Sequence, residues 1–135
     1  MPKSVIYVAA GVVALATAGC QTWGPTWSEL SGTRQYNLTT MYRKPAIIES
    51  VDGQSAFASY PIKLEPGTHV VKIQGPFKQP GGGLTDTITI TMEPCKRYYV
   101  NAQFENYVRP TFEPVIDQVV DIAGCVAPSP VVAAK

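Results

Sequence analysis

The side chains that could perform catalysis are few and lie far apart in the sequence. His69 is the only histidine, and its alternating apolar neighbours are more typical of a strand histidine than of a catalytic base. No Gly-x-Ser-x-Gly motif provides a nucleophile, and Gly81-Gly82-Gly83 lacks the following Lys and Ser/Thr of a phosphate-binding loop. Asp117 and Asp121 would lie about 13 Å apart along a strand, too far for paired acid–base work. We therefore expect no enzyme, and we expect both aspartates to solvate an outer face.

The three cysteines offer the most distinctive chemistry in the chain. Cys20, Cys95 and Cys125 are an odd number, which is unusual for a secreted protein. If Cys20 carries another modification, Cys95 and Cys125 are left to form a disulfide. In the chain-entropy model, closing their roughly 30-residue loop stabilises the folded domain by about 3.5 kcal/mol. The alternative is two buried free thiols. Metal ligation is disfavoured because no CxxC spacing or histidine cluster accompanies them.

The first 19 residues have the layout of a secretory signal peptide. Lys3 is the single charge, and an apolar, uncharged run follows from Val5 to Gly19. A spanning helix needs about 20 apolar residues, and this run ends after about 15, before Gln21 and Gly24-Pro25. The sequence therefore predicts a signal peptide over residues 1–19.

The end of this run, Leu15-Ala16-Thr17-Ala18-Gly19-Cys20, resembles the bacterial lipobox. The resemblance implies cleavage before Cys20 and a covalent diacylglyceryl/acyl lipid on its sulfur. Apart from this lipid we expect no cofactor. The alternative is a secreted protein in which Cys20 carries no lipid. Two or three acyl chains together anchor a protein stably, since each buried methylene contributes about 0.8 kcal/mol. By the same resemblance, Gln21 is compatible with export to the outer membrane. We expect a protein anchored there by lipid at the periplasmic face.

The composition indicates one small domain without an electrostatic partner. Of the 135 residues, 116 remain after removal of 19, which is the usual size of a single domain. Once Lys3 is removed with the signal peptide, 10 of the 11 Lys and Arg remain, and their charge is balanced by 10 Asp and Glu. The formal net charge of the mature polypeptide is thus near zero, and no attraction to nucleic acid is implied.

Segments with strand patterns fill residues 33–125. In residues 87–92, Ile and Met alternate with Thr, which defines a core face and a wet face. Asp52-Gly53 and Glu65-Pro66-Gly67 are typical turn sequences. No amphipathic helix pattern occurs, so we predict an all-β fold, an antiparallel β-sandwich of about seven strands preceded by the signal peptide. The predicted strands lie within residues 34–42, 46–51, 57–64, 68–73, 87–92, 97–104 and 115–122.

The segments on either side of this domain lack periodicity. Residues 20–32 predict a lipidated N-terminal tether, in which Trp23 and Trp27 either rest at the membrane surface or dock on the domain. Residues 126–135 predict a flexible C-terminal tail.

Aromatic side chains are the best candidates for a binding surface, because Tyr and Phe supply large, rigid contact area. Alternation along residues 97–104 points Tyr98 and Phe104 into the core. Tyr99, Tyr107 and Phe112 are then predicted to form a possible binding surface.

Two stretches resemble known envelope proteins. Residues 47–53 (IIESVDG) and 62–73 (IKLEPGTHVVKI) resemble the PEGA-type and related transthyretin-like sandwich domains of bacterial envelope proteins. Residues 94–99 (PCKRYY), followed by Gly124-Cys125, are similar to small proteobacterial lipoproteins of unknown function. These resemblances imply location and shape, and they imply no catalytic residues.

Two classes of function follow from the sequence. The first is a non-enzymatic, membrane-anchored lipoprotein that serves as a structural or protein-interaction module of the cell envelope, with an envelope protein as partner. The second is a ligand-binding lipoprotein that holds glycan or peptide on exposed aromatic side chains. A concave aromatic pocket would favour the second class.

Overall fold

The computed structural model describes residues 26–34, 39–76 and 83–127. Within these ranges the chain forms nine β-strands and no helix, so the all-β prediction is confirmed. Accordingly, the described part contains no helix long and apolar enough to cross a membrane. The strands are β1 (Ser28–Ser31), β2 (Arg43–Pro45), β3 (Ile47–Val51), β4 (Gln54–Ala58), β5 (Ile62–Leu64), β6 (Gly67–Gln74), β7 (Thr85–Met92), β8 (Lys96–Phe104) and β9 (Phe112–Asp121).

These strands form two sheets. In the first sheet, β8 pairs with β9 along one edge and with β1 and β2, one after the other, along its other edge; β5 pairs with β1. The second sheet has the order β4-β3-β6-β7 and is antiparallel throughout. The β1–β8 pair is parallel, so the prediction of a purely antiparallel arrangement is wrong for this pair.

One hydrophobic core lies between the two sheets, as in a β-sandwich. The first sheet contributes Leu30, Tyr98 and Val100, and the second contributes residues of β3, β6 and β7. On β7 the alternation acts as predicted, because Ile90 and Met92 are buried whereas the threonines are exposed. Period-2 patterning therefore fixes which face of this strand meets the core.

The N-terminal boundary of the folded part differs from the prediction. Residues 20–32 were expected to be a tether, but Ser28–Ser31 form the buried strand β1. Leu30 is fully buried, and the Ser28 hydroxyl donates a hydrogen bond of 2.8 Å to the Glu93 carbonyl. The strand escaped detection because Leu30 is its only apolar residue, and one residue sets no period.

Two further differences separate the observed strands from the seven predicted. The predicted strand over residues 57–64 is interrupted, since β4 ends at Ala58 and β5 begins at Ile62. The predicted strand over residues 34–42 is not observed: residues 34 and 39–42 form no strand, and residues 35–38 lie outside the described ranges. The short β2 follows instead.

Of the predicted signal peptide, lipid site and tail, only Val126 and Ala127 lie within the described residues.

Candidate functional site

Strand β8 defines two ends of the molecule. Its first residues lie beside β1, the first described strand after Cys20 in the sequence, because Glu29 is paired with Arg97. We call this the entry end. The opposite end, at Phe104, is about 26 Å away at 3.3 Å per residue, and we call it the distal end. The β8–β9 loop and the start of β2 meet there, since the Phe104 amide donates to the Tyr42 carbonyl at 3.0 Å.

A group of apolar and aromatic side chains is exposed at the distal end. We call Met41, Tyr42, Lys44, Tyr107 and Val108 the distal cluster. The Tyr42 and Tyr107 rings meet edge to face at 4.6 Å between centroids and 78°, and the Lys44 Nζ lies 5.5 Å from the Tyr107 centroid. Met41, Tyr107 and Val108 are 67%, 65% and 90% exposed. Apolar side chains grouped in this way at a surface are typical of a contact site.

Local hydrogen bonds hold the distal cluster in one shape. The Asn106 Oδ1 accepts bonds of 2.9 Å from the amides of Val108 and Arg109, forming an Asx turn. Tyr42 has a φ of 59°, a conformation that is uncommon for a bulky residue and is concentrated at functional sites. The Gln103 Nε2 donates to the Met41 carbonyl at 3.0 Å. A rigid cluster loses little conformational entropy on binding.

A shallow cleft lies beside the distal cluster. Its volume is about 290 Å³, close to the lower limit of small-molecule sites. The side chains of Phe104 and Phe112 contribute its apolar part, and their rings lie 5.7 Å apart. Its lining residues are Gln103, Phe104, Glu105, Thr111, Phe112 and Glu113.

The predicted aromatic surface does not form as one unit. Tyr99 is only 5% exposed, and its hydroxyl accepts a hydrogen bond from Arg97 at 3.3 Å, so its predicted exposure is wrong. Phe112 packs partly buried against the core, where a Cβ on Gly75 would lie 2.9 Å from its ring. Of the three, Tyr107 alone is exposed, and its structural neighbours are Tyr42 and Lys44.

The outer face of the first sheet carries a buried ion pair that positions β2. The Arg43 guanidinium contacts the Asp117 carboxylate and donates a second bond, of 2.9 Å, to Gln103 Oε1. The Asp117 side chain is only 2% exposed, so the prediction that it solvates an outer face is wrong. A β-bulge explains this, because Tyr99 is paired with Gln118 and Val100 with Ile116, which leaves Asp117 as the extra residue. Asp121, in contrast, is exposed and pairs with Lys96.

At the entry end, the two later cysteines lie at disulfide distance. The Cys95 and Cys125 sulfurs are 2.08 Å apart and their Cα atoms 5.4 Å apart, in agreement with the pairing expected from the cysteine count. Trp27 lies beside them, since its carbonyl accepts a bond of 2.8 Å from the Cys95 amide. Of the two positions considered for Trp27, docking on the domain is the one observed.

The side chain of Trp27 joins a charged group at the same end. Its indole nitrogen donates to Glu29 at 3.0 Å, and the Lys63 ammonium lies 4.3 Å from its ring. Burial alone would raise the pKa of Glu29, but hydrogen bonds from Trp27 and Arg97 and the charges of Arg97 and Lys63 lower that pKa overall. Glu29 is thus kept ionised in a largely buried position.

His69 lies between the β3–β4 turn and the connection from β5 to β6. Its Nδ1 is 2.6 Å from an Asp52 carboxylate oxygen, and its Nε2 is 2.7 Å from the Glu65 carbonyl. Both partners are acceptors, so the site favours a ring that donates from both nitrogens, the imidazolium. Partial burial lowers the pKa of His69, but the bonds and charges of Asp52 and Glu65 outweigh it and raise that pKa overall. In the imidazolium form the ring has no lone pair to act as a base.

The remaining predicted site residue is Cys20, which lies outside the described residues, as does Trp23. Within residues 26–34, 39–76 and 83–127, no group of three or more His, Cys, Asp or Glu side chains could hold a metal ion. Met41 and Tyr42 were missed as surface residues. The only indication of a surface position in the sequence is that these two residues stand between two polar pairs, Thr39-Thr40 and Arg43-Lys44.

Comparison with known proteins gives no relative for this chain. No protein-family model matches it, and no curated protein or solved structure matches it significantly.

Proposed function

We propose that the chain is a non-enzymatic lipoprotein of the bacterial cell envelope, which uses the distal cluster to contact a protein partner. The lipid would be carried by Cys20, after cleavage of a signal peptide over residues 1–19, and would anchor the chain at the periplasmic face of the outer membrane. The resemblance to small proteobacterial lipoproteins with a PEGA-like or transthyretin-like domain supports this placement.

One observation carries the proposal: the exposed aromatic group lies at the end opposite the chain entry. Cys20 precedes Trp27 by seven residues, which span at most about 25 Å when extended. A lipid on Cys20 would therefore join the domain at the entry end through this short segment, whereas Tyr107 and Val108 lie at the distal end; the two ends are about 26 Å apart along β8. Exposed aromatic side chains held rigid in this way are typical anchors of protein interfaces.

Two chemical observations support a non-enzymatic role. Both ring nitrogens of the only histidine already contact acceptors, and the favoured imidazolium form is a poor base. The two described cysteines lie at disulfide distance, and a disulfide sulfur offers no thiolate nucleophile.

Photo-crosslinking in intact cells tests the contact with a partner. A photoreactive residue replaces Val108, which is 90% exposed at the distal end, or in the matched control Val126, which is 67% exposed at the entry end. We expect a discrete adduct from position 108 that disappears when Tyr107→Ala is added, because Tyr107 supplies the adjacent contact area. The absence of an adduct at position 108, or equal adducts at both positions, would contradict the proposal.

A second candidate function, glycan or peptide binding, is favoured by the cleft of about 290 Å³ between Phe104 and Phe112. Titration of the purified chain with soluble peptidoglycan fragments and short peptides tests it. If the cleft is the site, Thr111→Trp abolishes binding by filling it. If the distal cluster docks only proteins, neither ligand binds.

A further inference from the structure

Of the sheet edges that the described residues form, strand β7 has the fewest of the features that usually protect an edge. Each of the other described edge strands has a feature that hinders pairing. Strands β2 and β5 have only three residues each, and β9 contains Pro114. The pairing of β4 with β3 shifts register, and Phe57 of β4 has a φ of 42°. Strand β7 has eight residues, no proline and no Lys or Arg. It pairs in a continuous register with β6 and with no other described strand.

The register identifies the backbone groups that point away from β6. The Gly75 amide donates to the Leu84 carbonyl at 2.9 Å, and pairs of one parity in an antiparallel ladder exchange both bonds. Leu84 is even-numbered, so the backbone groups of the even residues of β7 bond to β6. These residues are Asp86, Ile88, Ile90 and Met92. The amides and carbonyls of the odd residues therefore face outward. The Thr87 amide confirms this assignment, because it bonds to the Asp86 side chain at 2.7 Å instead of to β6.

The outward residues form a chemically uniform edge. They are all exposed threonines: Thr85, Thr87, Thr89 and Thr91. Asp86 is the only charged residue of the strand and lies near its start. The Thr68 and Thr91 hydroxyls lie 3.0 Å apart across the β6–β7 pair. Threonines on this face therefore already pair across two strands, and a strand added at the free edge of β7 could form the same kind of pair.

We propose that β7 pairs antiparallel with β7 of a second copy of this chain, joining the two four-stranded sheets about a twofold axis at Ile88. In this register Thr87 is paired with Thr89 of the second copy, and Thr85 with Thr91, so every outward threonine meets a threonine. The Thr87 amide exchanges its bond to the Asp86 side chain for one to the Thr89 carbonyl of the second copy. Asp86 lies opposite Ile90 of the second copy, and the two like charges are kept apart. A twofold contact of this kind closes after two copies and leaves no further β7 edge exposed.

Sedimentation equilibrium across a range of protein concentrations tests the proposal on full-length chains that all carry Cys20→Ala, so that neither a lipid nor a free thiol contributes. We expect a dimer. Thr89→Pro weakens it about tenfold or more, because proline removes an outward N–H and its bond. Since that N–H makes no bond to β6, the monomer tolerates proline there. Thr89→Val keeps the N–H and should keep the dimer.

A second pair of variants distinguishes the edge from the face of the sheet. Thr89→Lys places a charge at the edge, whereas Val70→Lys places it on the directly paired residue of β6, one strand inward. We expect Thr89→Lys alone to weaken the dimer, and circular dichroism of each variant verifies the fold. A chain that is monomeric at every concentration, a dimer insensitive to both Thr89→Pro and Thr89→Lys, or one weakened equally by Val70→Lys overturns the proposal.

Discussion

At the residue scale, the charge of His69 depends on its two acceptors. Because the Asp52 carboxylate and the Glu65 carbonyl both accept from the ring, the folded state favours the imidazolium. The pKa of Asp52 is lowered in turn, first by the bond from the Val70 amide and then by the bond from His69. Each group thus favours the charged form of the other.

This geometry predicts the pH dependence of His69. Its folded pKa lies above the ordinary value of 6.5, so the ring contributes its stabilisation fully below pH 6.5 and loses it as pH rises through the folded pKa. We expect an NMR titration to place the midpoint of the ring resonances above 6.5. The assignment is unambiguous because the chain has one histidine.

The matched variant for this titration is Asp52→Asn. It preserves an acceptor for the Val70 amide but removes the negative charge beside the ring. The pKa of His69 should then fall below its value in the parent chain. A parent midpoint at or below 6.5, or no change in Asp52→Asn, would show that the imidazolium is not favoured.

A second prediction at the residue scale concerns the Arg43–Asp117 pair, whose side chains are only 19% and 2% exposed. Arg43→Met leaves a buried carboxylate without its partner and should lower the free energy of unfolding by about 3 kcal/mol. Arg43→Met with Asp117→Leu removes both charges and should recover most of this loss. Chemical denaturation measures all three chains.

The exposed pair Lys72–Glu49 provides the comparison, since the Lys72 side chain is 44% exposed. Lys72→Met should cost less than about 1 kcal/mol, as exposed ion pairs do. Equal losses in Arg43→Met and Lys72→Met would argue against a special role for burial at Asp117.

At the scale of elements, β1 is predicted to be indispensable although it has four residues. It lies between β5 and β8 and places Leu30 in the core. A chain that starts at residue 26 should fold, whereas one that starts at residue 33, the boundary suggested by the sequence, should not. Leu30→Ala should lower the free energy of unfolding by about 2–5 kcal/mol. Circular dichroism and thermal unfolding measure these outcomes, and a folded chain from residue 33 would contradict them.

The Cys95–Cys125 pair links the start of β8 to the chain after β9, with a separation of 30 residues. Cys95→Ala with Cys125→Ala should lower the free energy of unfolding by about 3 kcal/mol, because the unfolded chain is no longer constrained. Cys20→Ser is the control and should change nothing. Peptide mapping without reductant checks the bond itself: alkylation of both thiols would refute it.

The elements also show which features a sequence can predict. The core face of β7 and the Asp52-Gly53 turn followed from local signals, and the turn has the positive φ angles that its residues favour, 50° and 80°. Strand β1 and the burial of Tyr99 did not. Both depend on long-range pairing: β1 packs beside β8, and Tyr99 is paired with Ser31 of β1 on one side and with Gln118 of β9 on the other. Distant partners leave no local period to read.

At the scale of the whole molecule, the two ends have different chemistry. The entry end combines the disulfide with the Trp27 group, which ties the incoming chain to β8. The distal end presents the rigid distal cluster. An anchor that reaches the domain through the entry end would thus leave the contact surface at the other end uncovered.

The anchor itself makes the last prediction. Cys20→Ala removes the sulfur that would carry the lipid, and we expect the protein to move from the membrane fraction to the soluble periplasm, since the mature polypeptide has a net charge near zero and no electrostatic attraction to the bilayer remains. Cys95→Ala with Cys125→Ala is the matched control, because it removes thiols without removing the anchor, and should stay in the membrane fraction. Fractionation followed by immunoblotting measures both. Retention of Cys20→Ala in the membrane at the size of the cleaved chain would mean that another surface binds it, and the six residues between Cys20 and Trp27 would then have no role as a tether.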